Sequence, residues 1–169
     1  DGLKERAACL RVFMNTLSED GILLIATGNR MGLKYWLGAS EDYYKRPYTG
    51  LWGYGSQEQR PRMFSRNEWC EILRQAGTVH HQFLYPFPDH QFADLILSDD
   101  FVRSDLHAYS LLYRTRSRDL TAPDWLPDQD EFLHWKALHQ SGYLREFANS
   151  FLLLTAKSQE GLSRVFPYD

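Results

Sequence analysis

Three carboxylates of this chain stand where an acidic side chain could take part in chemistry. Glu41 and Asp42 are adjacent in a long polar stretch, and Asp89 follows Pro88 in a turn that also contains Pro86. A carboxylate within hydrogen-bond reach of a hydroxyl group can act as its general base, so all three acids are candidates for catalysis. Two alternatives remain open, because paired acids in a loop are often only solvated and an aspartate in a turn often caps that turn.

A second set of polar and aromatic residues could bind a ligand. Asn29 and Arg30 follow an apolar run, which is where open α/β sheets place their ligands. The alternative is a turn stabilised by Asn29 and an Arg30 that pairs with a carboxylate. Lys34 could contact a phosphate or an acidic sugar, whereas Tyr35 or Trp36 is better explained as a core residue. The complete set of candidates for substrate binding is Asn29, Arg30, Lys34, Tyr35, Trp36, Tyr85 and His90.

The histidines and cysteines lack the spacing of metal ligands. His80 and His81 are adjacent on a predicted strand, where successive side chains point to opposite faces, so they cannot both reach one ion. Cys9 and Cys70 lie on predicted helix faces, without a partner at ligand spacing. The sequence therefore predicts no metal site, and it predicts two reduced core cysteines in a cytoplasmic protein.

The candidate residues are organised around one apolar run. Residues 22–26 contain no polar side chain, which is typical of a strand buried on both faces of a parallel sheet. Residues 3–17 carry apolar side chains at three- and four-residue steps and predict an amphipathic helix before the strand. Residues 31–37 predict a short helix after it. Residues 38–62 form a long irregular stretch that is either functional or a surface loop fixed by its aromatic side chains.

The next helix and strand have clear boundary residues. Ser65 and Glu68 match the capping box that begins a helix, and Gly77 is suited to end it. Residues 78–85 predict a strand. The prolines that follow are expected to stop this strand at position 86, because proline cannot donate a hydrogen bond to a sheet ladder.

The remaining patterns are shorter. Residues 93–97 predict a strand, 99–114 a helical stretch, 120–127 a proline-containing linker, 128–140 a helix and 151–156 a further strand. With so few strands, the run at 22–26 has a neighbour on one side only. Another part of the parent polypeptide or a second copy of the chain should therefore complete the sheet.

Composition limits the possible functions. The chain has 169 residues, of which 43% are hydrophobic and 24% charged, as in one globular domain. Its net charge of −3 argues against non-specific binding to nucleic acid, which needs a basic surface. No apolar run approaches the length of a membrane span, and the first residues do not resemble a signal peptide. Because the chain starts at Asp1, we expect it to be a piece of a longer polypeptide.

Several short motifs resemble those of one family. Residues 28–42, GNRMGLKYWLGASED, are similar to the ENR-x-GLKY turn and the GA-x-ED segment of class I S-adenosylmethionine-dependent methyltransferases found with bacterial surface-polysaccharide and glycosyltransferase genes. The resemblance continues at 64–66, 85–89 and 147–151. The chain also differs from the family pattern. Gly28 stands where the family has Glu, Tyr43 where it often has His, and His90 and Gln91 where it often has Tyr and Lys.

The resemblance implies a fold for the chain. Residues 1–169 would be the C-terminal portion of a Rossmann-like methyltransferase domain of α/β class, with strands five to seven and their flanking helices. Strand five would be 22–27, strand six 78–85, and strand seven, 151–156, would lie antiparallel between them. Residues 86–150 would be a mostly helical insertion on the substrate side. S-adenosylmethionine would be bound mainly by the missing N-terminal half, upstream of residue 1, which carries the glycine-rich loop.

Two functions follow from the resemblance. In the first, the chain binds the sugar or glycan acceptor of a methyltransferase, and an acid or a histidine serves as the base. The candidate bases are Glu41, Asp42, Asp89, His80, His81 and His90. In the second, the chain is a catalytically inactive scaffold in surface-polysaccharide synthesis, which the replaced Glu and His positions favour. The expected partners are a glycan acceptor, the N-terminal half and a second copy at the open sheet edge, but neither nucleic acid nor a membrane.

Overall fold

A computed structural model of the chain describes residues 2–55, 61–117 and 130–165. These ranges contain four β-strands, seven α-helices and one 3-10 helix. In chain order they are α1 (Gly2–Thr16), β1 (Ile22–Gly28), α2 (Leu33–Trp36), α3 (Arg66–Ala76), β2 (His80–Phe87), β3 (Leu95–Ser98), α4 (Asp99–Ser104), the 3-10 helix (Ala108–Arg114), α5 (Glu131–Gln140), α6 (Leu144–Phe147), β4 (Ser150–Ala156) and α7 (Gln159–Val165). The predicted linker at 120–127 lies outside the described residues.

The four strands form one sheet in the order β1-β4-β2-β3, and each neighbouring pair is antiparallel. Ile22 of β1 and His80 of β2 both pair with Ala156 of β4. β1 and β2 therefore run in the same direction with one antiparallel strand between them. This is the strand order predicted for 22–27, 78–85 and 151–156, and the prediction of an α/β chain is confirmed.

The exposure of one face of β1 corrects one prediction. An unbroken apolar run predicts burial on both faces, but the Leu24 side chain is 56% exposed and Ala26 is also exposed. Leu23 and Ile25, which point to the other face, pack against the main core. Within the described ranges, β1 is paired on one side only, with β4. On the second face Ile22 packs against a smaller cluster that includes Leu162, whereas Leu24 and Ala26 are uncovered.

β2 continues past its first proline, so the prediction that the strand stops there is wrong. Pro86 and Phe87 pair with Ile96 and Leu95 of β3, whereas pairing between β2 and β4 ends at Leu84. β2 has therefore changed partner before it reaches Pro86, and from there it is paired on one side. A proline is compatible with such a position, because a strand paired on one side needs fewer backbone donors.

α3 begins with the predicted capping box. The Ser65 side chain accepts a hydrogen bond from the Glu68 N–H, and the Glu68 side chain accepts one from the Ser65 N–H. Gly77 ends the helix in the left-handed conformation, with φ of 76°. By contrast, the short helix predicted at 31–37 is reduced to one turn, Leu33–Trp36, because the preceding residues form a tight turn closed by a hydrogen bond from Gly32 N–H to Asn29 C=O.

The main core lies between one face of the sheet and the packed helices. Its most deeply buried members come from α3, the sheet and the segments after β3, and they include Ile72, Leu73, Tyr85, Phe87, Leu112, Trp135, Leu144, Phe151 and Leu153. The segment predicted as an insertion is thus mostly helical, but it also adds a strand to the sheet and side chains to the core. Cys70 is half-buried beside this core, whereas Cys9 is exposed, so the prediction of a core position is wrong for Cys9.

No helix of the described ranges is both long and apolar enough to cross a membrane.

Candidate functional site

Asn29 is fully buried and organises the turn that follows β1. Its Nδ2 donates to the carbonyls of Glu146 at 2.8 Å and Ala148 at 2.7 Å, and its Oδ1 accepts from the Met31 N–H at 3.0 Å. A buried amide whose donors and acceptor all have protein partners is satisfied by the fold. Asn29 therefore fixes this turn to the segment before β4, as in the alternative interpretation of the sequence.

Arg30 links three segments of the chain. Its Nε donates to Glu68 Oε2 at 2.7 Å, and its Nη1 donates to the Gly50 carbonyl at 3.2 Å. Burial alone would raise the pKa of Glu68, but hydrogen bonds from Arg30 and from Ser65 lower it below its usual value. Arg30 thus connects the turn, the long loop and the first turn of α3.

Glu41 is a buried centre of hydrogen bonds inside the long loop. Its Oε2 accepts from the N–H groups of Tyr43 at 2.8 Å and Tyr44 at 2.7 Å, and its Oε1 accepts from the Tyr54 hydroxyl at 3.2 Å. The same loop holds Lys45 and Tyr54 at positive φ, a conformation that costs about 1–2 kcal/mol for residues other than glycine. The Glu41 carboxylate therefore stabilises a strained loop, and both of its oxygens are occupied.

Lys34 lies at the centre of a charged cluster. Its side chain is 3% exposed, and its Nζ lies 2.7 Å from Asp89 Oδ2 and 3.8 Å from Asp42 Oδ1. The Tyr35 hydroxyl donates to Asp42 Oδ2 at 3.1 Å. Burial first, and then the nearby Asp42, raise the pKa of Tyr35 far above its usual value, so that the phenol stays protonated. A buried ammonium is tolerable here because two carboxylates face it.

His90 extends this cluster from the other side of Asp89. Its Nδ1 is buried and lies 2.7 Å from Asp89 Oδ1, a short but bent contact between adjacent residues. Burial alone would raise the pKa of Asp89, but the contacts with His90 and Lys34 outweigh burial and lower this pKa to about 2. Asp89 is therefore an anion shared by two side chains that can carry positive charge.

Asn149 and Ser150 hold the cluster in place, and sequence reasoning assigned them no role. Asn149 Oδ1 accepts from the Lys34 N–H at 2.9 Å, and Asn149 Nδ2 donates to the Pro88 carbonyl at 2.9 Å. The His90 N–H donates to Ser150 Oγ at 2.8 Å. These two neighbouring residues therefore form hydrogen bonds with the backbone on both sides of Asp89. The one sequence feature that points to them is the motif at 147–151.

An open cavity of about 630 Å³ lies at the carboxyl end of β1, beside the charged cluster. Its lining includes Gly28, Asp42, Tyr43, Lys45, Met63 and His90. A β-carbon on Gly28 would collide with the sulfur of Met63, so this methionine fills the space that a side chain at position 28 would need. The volume is in the range of sites that hold small molecules.

Two predicted binding residues lie outside this group. Trp36 is 48% exposed and packs against Phe147, with ring centroids 6.0 Å apart. The Tyr85 hydroxyl makes a very short hydrogen bond to Asp99 and accepts one from Arg66 Nε at 3.1 Å. Tyr85 belongs to a second cluster, beside a cavity of about 360 Å³, in which Asp99 also pairs with both Arg66 and Arg145. Tyr85 is the one member of the ten predicted site residues in this cluster, so the cavity at the end of β1 is the better candidate.

The predicted site residues therefore separate into two groups. The structure brings together Lys34, Tyr35, Asp42, Asp89 and His90, and it uses Asn29, Arg30, Glu41, Trp36 and Tyr85 in contacts elsewhere. Throughout the described part of the chain, no three His, Cys, Asp or Glu side chains are grouped so that they could hold a metal ion.

The fold and the site define an α/β chain with a polar cavity where β1 ends. Comparisons with protein-family models, with curated proteins and with solved structures found no match to this chain. The features of the chain that bear on function are the sheet order, the cavity and the residues that line it.

Proposed function

We propose that the chain is the acceptor-binding part of an S-adenosylmethionine-dependent methyltransferase that acts on a sugar or glycan intermediate. The observation that carries the proposal is the cavity at the carboxyl end of β1, with Asp42, Lys34, Asp89 and His90 grouped beside it. The strand order supports it, because β4 lies antiparallel between β1 and β2 as the resemblance to the Rossmann-like methyltransferase sheet implies.

The lining of the cavity suits a hydroxylated ligand. Asp42 can accept hydrogen bonds from hydroxyl groups, and Lys45 adds a positive charge for a phosphate or acidic substituent. The Tyr43 side chain is 55% exposed and offers an aromatic surface to the apolar face of a sugar ring. A few polar groups around an aromatic surface fix the orientation of a ligand, which is the main requirement of an acceptor site.

The described residues suit the acceptor better than the cofactor. When bound, S-adenosylmethionine supplies a methyl group on a sulfonium that is its own leaving group. The glycine-rich loop that cradles it in the resembling family has no counterpart in this sequence. We therefore assign no residue of this chain to the cofactor, and we expect its binding site in a preceding part of the polypeptide.

The chain would contribute position and charge to the reaction. Because the donor brings its own leaving group, alignment of the acceptor supplies most of the catalysis. Lys34 holds Asp89 at 2.7 Å, and Tyr35 holds Asp42 at 3.1 Å, so both carboxylates are fixed before a ligand arrives. Fixed groups bind a ligand with a smaller loss of conformational entropy.

One set of contacts favours the alternative function, an inactive scaffold. Asn29, Arg30 and Glu41 lie in the motifs that resemble the family, yet each is satisfied by contacts within the protein. A scaffold would need these contacts to keep the fold, without any transfer of a methyl group.

Calorimetric titration of S-adenosylhomocysteine separates the two functions. It should be performed on this chain and on a polypeptide extended upstream by about one hundred residues, a usual domain size. We expect tight binding by the longer polypeptide alone. Binding by neither protein would contradict the methyltransferase and leave the scaffold.

A variant of the cavity tests the acceptor site. We expect Asp42→Asn in the full polypeptide to raise the KM for a sugar acceptor about tenfold, because it removes a charge-assisted hydrogen bond. Asn still accepts the Tyr35 hydrogen bond, but one of the two carboxylates that face Lys34 is lost, so urea unfolding of the variant must accompany the kinetics to separate a loss of stability from a loss of binding. Asp20→Asn is the matched control. The Asp20 side chain is 67% exposed, and among the described residues its ion pair is with the exposed Arg164. An unchanged KM in Asp42→Asn would place the acceptor elsewhere.

A further inference from the structure

His90 has the surroundings of a proton acceptor. Its Nδ1 is buried against Asp89, while 17% of its side chain remains exposed and the residue lines the cavity. Nδ1 lies within reach of Asp89 but makes no aligned hydrogen bond in the structure. A carboxylate that binds the proton of one ring nitrogen leaves the other nitrogen as an acceptor, so the approach of Asp89 to Nδ1 leaves the accepting role to Nε2.

We propose that His90 is the catalytic base that takes the proton from the acceptor hydroxyl, and that Asp89 holds its ring for this role. The inference rests on the proposed function, because the proton to be removed belongs to the acceptor of methyl transfer. It selects one residue from six candidate bases. Glu41, one of the three carboxylates predicted as catalytic, has both oxygens bound within the protein.

Four contacts position the His90–Asp89 pair. The Ser150 hydroxyl accepts the His90 N–H at 2.8 Å, and Asn149 binds the carbonyl of Pro88 at 2.9 Å. Asn149 also accepts the N–H of Lys34, whose ammonium is 2.7 Å from Asp89. The backbone around Asp89 and the Asp89 carboxylate are thus held by Asn149, Ser150 and Lys34, and they place the ring of His90 beside Asp89. Precise support of this kind is what a general base requires.

Removal of the hydroxyl proton and transfer of the methyl group need no reactant other than the acceptor and the sulfonium methyl donor. The His90 Nε2 accepts the hydroxyl proton while the hydroxyl oxygen forms a bond to the transferred methyl carbon. The bond between that carbon and the leaving sulfur breaks, and its electron pair neutralises the sulfonium. The imidazolium is stabilised by Asp89 and returns its proton to water after the product leaves.

The charges around His90 must be considered together. Asp89 Oδ1 lies 2.7 Å from the His90 Nδ1, and the Lys34 ammonium lies 2.7 Å from the other oxygen of Asp89. Asp42 and Lys45 line the same cavity as His90, and Tyr35 keeps its proton. The surroundings of the ring therefore contain charges of both signs.

The kinetic test compares His90→Gln with His107→Gln in the full polypeptide, using a sugar acceptor and S-adenosylmethionine. We expect His90→Gln to lower kcat at least a hundredfold with little change in the acceptor KM. The kcat of the unmodified protein should fall on acidification as the base becomes protonated, and the residual rate of His90→Gln should lack that fall. His107→Gln is the matched control, because His107 is exposed before the 3-10 helix and is not a candidate base, and it should behave like the unmodified protein.

A spectroscopic test does not depend on turnover. Nitrogen-15 NMR of histidine-labelled protein distinguishes a protonated ring nitrogen from an unprotonated one, and His90→Gln assigns the signal. We expect the neutral ring of His90 to carry its proton on Nδ1 and to keep Nε2 free. Asp89→Asn should shift the proton toward Nε2 and lower kcat at least tenfold.

The possible results distinguish a failure of this inference from a failure of the proposed function. If the unmodified protein transfers methyl groups and His90→Gln retains its rate and pH profile, His90 is not the base although the methyltransferase stands. A neutral His90 protonated on Nε2 would also overturn the inference alone. If the unmodified protein binds no S-adenosylhomocysteine and transfers no methyl group, the proposed function and the base both fail. A hundredfold loss in His90→Gln with the expected NMR signal supports both.

Discussion

Asp89 illustrates how single residues of this site combine burial with charge. Its carboxylate lies 2.7 Å from both the Lys34 ammonium and His90 Nδ1. Removal of a charge from water is costly, and an opposite charge in contact is the usual compensation. Each charged residue of the cluster therefore stabilises the others. We expect a single substitution to lower the stability of the fold as well as the affinity for a ligand.

The stability of the protein should depend on Asp89 at low pH. The pKa of Asp89 in the fold is about 2, below its usual value of 3.8, so the fold favours the charged carboxylate. This stabilisation is complete above about pH 4 and is lost as the pH falls toward 2; it amounts to about 2 kcal/mol. Urea unfolding from pH 5 to pH 2 should show a smaller loss in Asp89→Asn than in the unmodified protein. Equal losses would contradict the low pKa.

We expect Glu41 to stabilise the fold and to take no part in methyl transfer. Glu41→Ala removes an acceptor from two backbone N–H groups and one hydroxyl, which we expect to lower the free energy of unfolding by about 3 kcal/mol. Glu160→Ala, an exposed position on α7, should change it by less than about 0.5 kcal/mol. Urea unfolding measures both effects. A Glu41→Ala protein with normal stability but no methyl transfer would restore Glu41 as a catalytic candidate.

At the scale of elements, features that depend on neighbouring residues were predicted from the sequence. Features that depend on contacts between distant residues were not. The capping box of α3 could be predicted because Ser65 and Glu68 are three residues apart and satisfy each other. The extension of β2 through Pro86 could not, because it depends on pairing with β3. The strand order followed from the resemblance, and the single neighbour of β1 followed from the small number of predicted strands. The exposure of Leu24 could not be predicted, because it depends on what covers that face of the sheet.

The same distinction explains what was predicted of the site. Asp42, Asp89, Lys34 and Tyr35 were chosen from residue type and position, and the structure brings them together. The role of Asn149 was missed because its partner Lys34 is 115 residues away, and an asparagine in a short motif has no chemical signature of its own. The structural role of Arg30 likewise depends on Glu68, which lies in another element.

The turn between β1 and α2 should be sensitive to a single methyl group. A β-carbon on Gly32 would lie 2.8 Å from the Cα of Asn149 and 3.0 Å from the carbonyl oxygen of Asn29, so the backbone would have to move. We expect Gly32→Ala to lower the free energy of unfolding by about 1–3 kcal/mol. Gly28→Ala is the comparison, because its β-carbon meets the flexible end of Met63 and should cost less. Equal losses in urea unfolding would mean that the close approach to Asn149 is unimportant.

On the scale of the whole molecule, the sheet has an open side. β1 pairs with β4 along its full length, and no other strand of the described ranges pairs with it. Leu24, on the face opposite the main core, is 56% exposed. Unpaired edges of this kind associate readily with another strand, and apolar side chains beside the edge strengthen the association.

We therefore expect a strand to cover this edge in the full polypeptide, as the proposed partial sheet requires. Hydrogen exchange followed by mass spectrometry should show fast exchange of backbone amides in Ile22–Gly28 for this chain and slower exchange for the longer polypeptide. Ser150–Ala156 is the internal control, because β4 is paired on both sides and should be protected in both proteins. Protection of β1 that rises with the concentration of this chain alone would identify a second copy as the occupant. Fast exchange of β1 in both proteins at all concentrations would show that the sheet ends at β1, and the proposal of a partial methyltransferase sheet would then be wrong.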